Sequence, residues 1–321
     1  MIRRRDFITL LGGAAAWPLA ARAQQLRKPV VGYLGLGPPR PDAEAWLRQG
    51  LNEVGYVDGI NVAIEFRWEN SGIQAAAADL VRNQVAVIVT ESGPTILAAK
   101  AATSKIPIVF ASAVDPVEFG VAASLRYPGG NMTGVSFLAG ELLGKQLDLL
   151  RQFSPTTTNF AYFVDFRARL AEEYTSRLVA AARYMGLQLI IVEVTNDGEI
   201  ETGFARFLQA ESGALIVGPY LIFFRNQKKI LDFARVNKIP AIYPSRSYVA
   251  EGGLMSYGAN LVGGRKVIVD YVARILKGAK PADLPIQQPT TFDFAINLKT
   301  ARALGLAVPP TLFALATEVI E

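Results

Sequence analysis

Residues 85–111 have the sequence VAVIVTESGPTILAAKAATSKIPIVFA, and this stretch decides the fold. Its two short apolar, β-branched runs, 85–90 and 106–111, predict buried strands. A helix is predicted between them over 94–103, and it begins with a proline, which is favoured at the first helical position. A strand, a helix and a second continuous apolar strand are typical of a parallel sheet covered by helices on both faces.

The same alternation extends from this stretch toward both ends of the chain. In the first part, the pattern predicts strands at 29–34, 62–66 and 133–137 and helices at 43–54, 73–83 and 117–125. In the second part, it predicts strands at 160–164, 189–194, 214–217, 241–243, 253–257 and 292–296 and helices at 142–152, 170–185, 200–209, 224–237, 264–276 and 300–304. Two successive α/β series of comparable size predict two doubly wound parallel-sheet lobes.

The first 23 residues have the three parts of an export signal. Arg3, Arg4 and Arg5 form a basic start, 9–19 is apolar, and Ala21-Arg22-Ala23 is a small-x-small cleavage site. The apolar run is shorter than the roughly 20 residues that span a bilayer, so an uncleaved membrane anchor is the less favoured alternative. The paired arginines resemble a twin-arginine signal. We therefore expect residues 1–23 to be removed and the rest of the chain to work in the periplasm.

Composition excludes several kinds of site. The chain has no Cys and no His, so disulfides, thiolate metal ligands and Ser-His or Cys-His nucleophiles are ruled out. An enzyme would have to use carboxylates, Lys or Tyr alone. The formal charge is +5, and the basic residues are scattered along the chain, which does not indicate a nucleic-acid surface. We expect no bound metal ion.

A glycine-containing turn at 35–40, GLGPPR, superficially resembles a dinucleotide-binding fingerprint. Arg40 stands where the third glycine is needed, and Pro38 and Pro39 remove two N–H groups from the phosphate cradle. There is also no phosphate-loop lysine motif. We therefore expect no nucleotide cofactor, and no cofactor of another kind is indicated.

The candidate ligand-binding residues follow predicted strands, because ligands of open parallel sheets bind beyond the carboxyl ends of the strands. In the first series they are Gly35, Leu36, Glu91, Ser92, Gly93, Thr95, Ser112 and Asp115. Ser92 and Thr95 are predicted equally well to cap the following helix or to contact a ligand, since one hydroxyl serves only one role well. Capping is the favoured interpretation for Asp115, with an amino group of a ligand as the alternative.

In the second series, the candidates are Phe166, Arg167, Tyr220, Tyr243, Arg246 and Tyr257. Core packing is the alternative interpretation for the aromatic residues. Tyr220 and Tyr243 stand beside prolines where strands end, so we expect them to line a cleft more than the other aromatic residues do. Arg167 and Arg246 are predicted either to bind a ligand carboxylate bidentately or to be ordinary solvated or ion-paired residues.

Several longer motifs resemble one protein family. They are IPIVFASAVDPVEFG at 106–120, PGGNMTGV at 128–135, PAIYP at 240–244, GGLMSYG at 252–258 and ILKGAKP at 275–281. In order and spacing they are similar to the substrate-binding proteins of the tryptophan/tyrosine-type ABC transporter family. The resemblance covers nearly the whole chain after residue 23. At 164–169 the sequence VDFRAR departs from the Asn/Pro-rich turn usual in the family, so the identity of the ligand does not follow from the resemblance.

The resemblance implies a type I periplasmic binding protein-like fold, in which two lobes are joined by a three-crossover hinge and hold the solute between them. Residues 28–137 plus 260–287 would form lobe 1, and residues 138–259 plus 288–321 would form lobe 2. The implied partners are a small-molecule ligand and an ABC permease in the inner membrane with its cytoplasmic ATPase. We expect a monomer.

The resulting hypothesis is a solute receptor of an ABC importer that binds an amino acid or an aromatic or carboxylate compound. One alternative is a ligand-sensing receptor for a membrane signalling protein, which sequence does not separate from transport. The other is a periplasmic enzyme that depends on carboxylates, and the scarcity of paired acids at the predicted strand ends argues against it.

Overall fold

The computed structural model describes residues 28–69 and 71–321, so the predicted signal at 1–23 lies outside the described residues. The strands are β1 Val30–Leu36, β2 Ala63–Glu69, β3 Val87–Thr90, β4 Ile108–Ser112, β5 Met132–Ser136, β6 Asn159–Val164, β7 Gln188–Glu193, β8 Ala214–Val217, β9 Ala241–Tyr243, β10 Met255–Ala259, β11 Phe292–Asn297 and β12 Glu318–Ile320. The helices are α1 Pro41–Glu53, α2 Ile73–Arg82, α3 Gly93–Ala102, α4 Leu143–Phe153, α5 Ala171–Tyr184, α6 Ile200–Gln209, α7 Leu221–Arg225, α8 Gln227–Val236, α9 Arg246–Ala250, α10 Leu261–Leu276, α11 Leu298–Ala303 and α12 Pro310–Leu315. Within these described ranges, no helix combines the length and the apolar character needed to cross a membrane.

Sheet 1 contains five parallel strands in the order β2-β1-β3-β4-β5. One face packs on α1 and α10 through residues that include Val31, Val87 and Val109. The other face packs on α2 and α3 through residues that include Leu34 and Ile88. Burial on both faces explains why the strand sequences are continuously apolar.

Sheet 2 contains seven strands in the order β12-β11-β10-β9-β8-β6-β7. Its strands pair in parallel except β10 and β11, which are antiparallel. The core around this sheet is rich in aromatic side chains, among them Phe160, Tyr162, Phe163 and Phe223. The antiparallel pair arises because the chain leaves sheet 2 after β10, passes through sheet 1, and returns to sheet 2 as β11 beside β10.

The chain passes between the sheets three times: from β5 to α4, from β10 to α10, and from Gln287 to β11. Gln287 pairs with Val135 beside sheet 1 just before the last crossing. The second and third crossings touch, because the Asn260 side chain donates to both carboxylate oxygens of Asp293, at 3.0 and 3.2 Å. These crossings support the predicted lobe boundaries at 137/138, 259/260 and 287/288. The division into these two lobes stays a proposal.

Two local features show how side chains set the ends of helices. Helix α5 ends in a Schellman motif, in which Gly186 has φ +70° and its N–H donates to Arg183 O. The helix predicted over 224–237 is instead two helices, because Asn226 interrupts it and its side chain donates to Ile222 O at 2.9 Å. The sequence pattern had given no sign of this interruption.

The prediction of a helix over 117–125 is wrong. Residues 116–120 form turns only, and the segment continues as irregular chain to β5. Asp115 Oδ1 accepts from the N–H groups of Val117 and Glu118, and Gly120 with φ +76° ends the turn. The apolar spacing that predicted a helix reflects buried loop residues, including Phe119 and Val121, that pack on the sheet.

Candidate functional site

The carboxyl edges of the two sheets meet at one end. Asp115, just after β4, donates its backbone N–H to the hydroxyl oxygen of Tyr174 in α5 at 3.4 Å. Beside this contact, Glu118 pairs with Arg177 at 3.3 Å, and the Arg169 guanidinium lies 5.3 Å from the centre of the Phe119 ring. Loops that leave the strands of sheet 1 therefore contact the segment that follows β6 of sheet 2. These contacts bring the carboxyl edges of the two sheets, which carry most of the candidate residues, close to each other.

The edge of sheet 1 places Glu91 beside an aromatic group. Tyr33 Oη donates to Glu91 Oε2 at 2.8 Å, and the Tyr33 ring centre lies 5.1 Å from that of Trp68. Burial raises the pKa of Tyr33 far above its ordinary value, and the Glu91 charge adds to the rise, so this hydroxyl stays protonated. Gly35 lies against Trp68, whose ring occupies the space a Cβ would need. Leu36, at the end of β1, is half-buried.

Ser92 and Thr95 are used for helix capping. Thr95 Oγ1 accepts from the backbone N–H of Ser92 at 3.1 Å, lies 2.8 Å from Ser92 Oγ and is also bonded to Thr90 Oγ1. Thr95 is fully buried. These contacts form a capping box at the start of α3, and contact of either hydroxyl with a ligand stays a prediction. Gly93 is packed by Phe119, since a Cβ there would lie 3.2 Å from the Phe119 ring.

Ser112 and Asp115 organise the turn after β4. Ser112 Oγ donates to Val114 O at 2.8 Å and is buried. Asp115 Oδ1 accepts from the N–H of Val117 at 2.7 Å, which is the favoured capping role. Asp115 contacts Tyr174, on the side of sheet 2, through its backbone N–H.

The edge of sheet 2 carries an ion pair and a pair of tyrosines. Arg167 Nε and Nη2 donate to the two oxygens of Asp165 at 3.0 and 3.1 Å. Asp165 is buried and Arg167 is exposed, so the guanidinium points outward. Tyr162 and Tyr220 share a hydrogen bond between their hydroxyls at 2.9 Å, and burial raises the pKa of Tyr220 to about 12. Phe166, beside the ion pair, is half-buried against the core of sheet 2.

Arg246 and Tyr257 lie near the second and third crossings. Arg246 binds Glu318 of β12 through two guanidinium nitrogens, and this contact lowers the pKa of Glu318. Tyr257 is half-buried and its ring stacks on Phe292, with 5.8 Å between the ring centres. Arg246 thus already has an ion-pair partner within the protein, and the Tyr257 ring keeps part of its surface exposed.

Tyr243 is placed differently from the prediction that it lines the cleft. It is 1% exposed, and its ring stacks on Tyr248 with 4.8 Å between centres. A Cβ on Gly253 would lie 2.8 Å from the Tyr243 ring. Gly253 precedes β10, so the ring extends toward the amino end of that strand, away from the carboxyl edge. A proline after a strand therefore did not indicate where the preceding side chain points.

Sequence reasoning missed four side chains at or beside these edges: Tyr33, Tyr162, Tyr174 and Arg177. Tyr33 and Tyr162 are strand residues, and only the register of the sheet places their hydroxyls at the carboxyl edge. Arg177 contacts Glu118, Glu141 and Glu173 at once. Of these, only the i, i+4 spacing from Glu173 was visible in the sequence.

The edges offer contacts for a small polar or aromatic molecule. They carry carboxylates, guanidiniums, a tyrosine pair and half-buried rings, which are the groups that orient small ligands. A shallow pocket of about 470 Å³ lies elsewhere, on the outer side of sheet 1, and its lining includes Phe66, Arg67 and Asp79. None of the predicted site residues lines it.

Comparisons with known proteins agree with this architecture. The family model "ABC transporter substrate binding protein" matches residues 37–320. A tyrosine-binding protein from Clostridioides difficile is 24% identical over 261 residues, which are 80% of this chain and 75% of the relative.

Two solved structures share the fold. The ABC domain of Streptococcus pneumoniae in complex with L-Trp has a TM-score of 0.80 at 24% identity and covers 91% of this chain and 100% of that chain. A conserved domain protein from Vibrio cholerae O1 biovar El Tor has a TM-score of 0.82 at 25% identity with the same coverage. The fold is thus the predicted type I periplasmic binding protein-like fold, and the chain belongs to the family of ABC transporter substrate-binding proteins.

Proposed function

We propose that this chain is an exported, monomeric receptor that holds a small organic solute between its lobes and delivers it to an inner-membrane permease. The observation that supports this proposal most directly is the facing arrangement of the two carboxyl edges, joined at one end by the Asp115–Tyr174 hydrogen bond. Ligands of open α/β sheets bind at such edges. The signal-like segment at 1–23 supports a periplasmic location, and family membership supports an ABC permease and its ATPase as partners.

The proposed mechanism is closure of the lobes on the solute. A ligand that contacts both edges binds the closed form more tightly than the open form and so shifts the population toward closure. The three crossings act as the hinge, since only a few residues in each would change their backbone angles. The contacts of Arg177 and Tyr174 with the loop after β4 already join the lobes at one side of the gap, and a solute would add contacts deeper within it.

The proposed solute class is an amino acid or an aromatic or carboxylate compound. The tyrosine-binding relative and the L-Trp complex make L-tyrosine and L-tryptophan the first probes. Half-buried rings such as Tyr257 are suited to stack on an aromatic group. Arg167 can bind a carboxylate through its remaining N–H groups, although Asp165 already occupies the edge formed by Nε and Nη2.

Isothermal titration of the chain beginning at Gln24 tests this function. The panel contains the proteinogenic L-amino acids and simple aromatic carboxylic acids. We expect saturable binding of at least one compound, together with a decrease in the radius of gyration measured by X-ray scattering. Arg167→Gln should weaken the binding of a carboxylate ligand, while Arg183→Gln, on the exposed side of α5, should leave it unchanged.

Two results would contradict the proposal. The first is the absence of saturable binding across the whole panel. The second is chemical conversion of a bound compound, seen by mass spectrometry of the incubated mixture, which would indicate an enzyme instead.

A further inference from the structure

Glu91 has a defined position at the carboxyl edge of sheet 1. Val87 and Val89 of β3 face the core formed with α1 and α10. Because side chains alternate along a strand, Glu91, just after β3, continues on that same face. Helices α1 and α10 both begin near this edge, since α1 follows β1 and α10 follows the second crossing. The Glu91 carboxylate therefore lies at the carboxyl edge of sheet 1, half-buried beside Tyr33.

Tyr33 fixes the orientation of this carboxylate. Its hydroxyl is the donor in the 2.8 Å bond to Glu91 Oε2, and its ring is only 1% exposed. Packing against Phe66 and Trp68, with ring centres 5.5 and 5.1 Å away, holds the tyrosine in place. A donor held this firmly positions one carboxylate oxygen and leaves Oε1 with acceptor capacity.

Three other acidic side chains near these edges already have partners. Asp115 caps a turn, Asp165 binds Arg167, and Glu118 binds Arg177. Among residues 28–69 and 71–321, Glu91 has no Lys or Arg nitrogen within ion-pair distance, and Tyr33 supplies the one hydrogen bond to its carboxylate. The nearby Arg40 is paired with Asp42 at 2.7 Å.

A half-buried carboxylate without an ion-pair partner is electrostatically incomplete, since removing a charge from water is costly unless a partner compensates for it. A cationic group on the solute would supply that partner. The ammonium group of an amino acid fits, because it has three N–H donors and the opposite charge.

We propose that Glu91, oriented by Tyr33, binds the ammonium group of the solute, so that this receptor selects primary amines and rejects otherwise identical acids that lack the amine. This inference rests on the proposed receptor function and narrows its solute class. It assigns Glu91 a role in specificity. The competing explanation is that Glu91 is only a structural counter-charge for Arg40 and the adjoining helices.

The test compares solutes and variants by isothermal titration. The probes are L-tyrosine, L-tryptophan and 3-(4-hydroxyphenyl)propanoate, which is tyrosine without its amino group. We expect the wild-type protein to bind L-tyrosine at least about 30-fold more tightly than its deaminated analogue, as for loss of a buried charged partner. Glu91→Gln should lower affinity for the amino acid by a similar factor and change affinity for the deaminated acid by less than about threefold.

Two further variants separate binding from folding. Tyr33→Phe retains the ring but loses the donor, and we expect a roughly 3- to 10-fold loss of amino-acid affinity, the size of one hydrogen bond to a charged group. Glu53→Gln, exposed on α1, is the matched control and should bind like the wild type. Melting temperatures of all variants check that they are folded. The wild-type comparison of the two acids needs no variant, so the inference can be tested even if Glu91→Gln does not fold.

The possible outcomes are distinct. Two results overturn the role of Glu91 while leaving the receptor function intact. One is equal affinity of wild type and Glu91→Gln for the amino acid. The other is equal affinity of the wild type for tyrosine and its deaminated analogue. Binding of none of these probes, nor of any other amine in the wider panel, contradicts the solute class on which the inference rests. A lower melting temperature of Glu91→Gln with unchanged selectivity identifies a structural counter-charge.

Discussion

The hydroxyl oxygen of Tyr174 accepts the backbone N–H of Asp115 at 3.4 Å, so a residue of α5 closes onto the loop that follows β4. Tyr174 is buried, and its ring fills the space where a Cβ of Gly140 would otherwise lie. Burial raises its pKa to about 12, so the hydroxyl stays neutral over the physiological range. One helical turn later, Arg177 continues this contact between the lobes.

Arg177 should hold the lobes together in a salt-dependent way. Its guanidinium binds Glu118 after β4, Glu141 at the first crossing and Glu173 on its own helix. We expect Arg177→Gln to increase the radius of gyration of the ligand-free protein, because the charge linking the lobes is lost. Small-angle X-ray scattering at about 0.05 M and about 0.5 M salt measures this, since exposed charges are screened at the higher concentration. Arg183→Gln on the same helix is the control, and an unchanged radius for Arg177→Gln contradicts the prediction.

Tyr243 should contribute to stability and not to binding. Its ring is buried and stacked on Tyr248. We expect Tyr243→Ala to lower the free energy of unfolding by about 3–5 kcal/mol, the usual loss when a buried aromatic ring is removed. Urea titration measures this loss. Tyr184→Ala, at a position that is 92% exposed, should change stability by less than about 0.5 kcal/mol. A Tyr243→Ala protein of normal stability that no longer binds its solute would show that the ring reaches the gap.

Gly134 in β5 should not tolerate a side chain. A Cβ at this position would lie 1.9 Å from the carbonyl oxygen of Phe110 in the neighbouring strand β4. We expect Gly134→Ala to destabilise the protein by more than about 3 kcal/mol, because backbone atoms of two paired strands would have to separate. Gly144→Ala in α4 is the matched substitution, since its nearest contact would be at 3.9 Å. It should be neutral or slightly stabilising in thermal unfolding, because alanine favours the helix. Equal melting temperatures for the two variants would refute this account.

The pair of Arg246 and Glu318 should make a small, pH-dependent contribution. The hydrogen bonds from Arg246 hold the pKa of Glu318 below its ordinary value of 4.5. A carboxyl group with a lowered pKa in the folded state stabilises that state above its unfolded pKa, and the contribution is lost as the pH falls through the folded pKa. We expect Arg246→Gln to lower stability at about pH 7 by no more than about 1 kcal/mol, because the pair is partly exposed.

This pH dependence can be measured by urea titration of wild type and Arg246→Gln at neutral and acidic pH. The difference between the two proteins should disappear at pH values below the folded pKa of Glu318. Glu318→Gln serves as the matched variant and should remove the same contribution. A difference that persists at acidic pH would mean that Arg246 acts through another contact.

Most of the strands and helices could be predicted because apolar periodicity reports burial directly. The prediction failed at 117–125, where the same spacing arises from a loop whose apolar residues pack inward. It also failed at Asn226, because a single side-chain bond to a helix carbonyl leaves no periodic trace. The helices Arg246–Ala250 and Pro310–Leu315 were too short to be seen as a pattern.

The positions of the candidate residues could be predicted at the level of the sheet edges but not at the level of their contacts. Glu91 and Arg167 could be placed because carboxyl ends of parallel strands collect at one edge. Whether a hydroxyl such as that of Thr95 caps a helix or stays free depends on atoms a few ångströms away. The direction of Tyr243 depends on the glycine beside it in space, and the pairing of Tyr33 with Glu91 depends on strand register. Sequence alone shows none of these relationships.

Helix α10 belongs to the apolar core of sheet 1, yet it follows almost all of sheet 2 in the chain. While the protein is being synthesised, the face of sheet 1 formed by Val31, Val87 and Val109 therefore lacks part of its cover until α10 has emerged. A fragment ending at residue 137 would expose that face to water and should aggregate instead of folding. We therefore expect that the first half of the polypeptide does not fold by itself and that a truncated gene product yields no functional lobe.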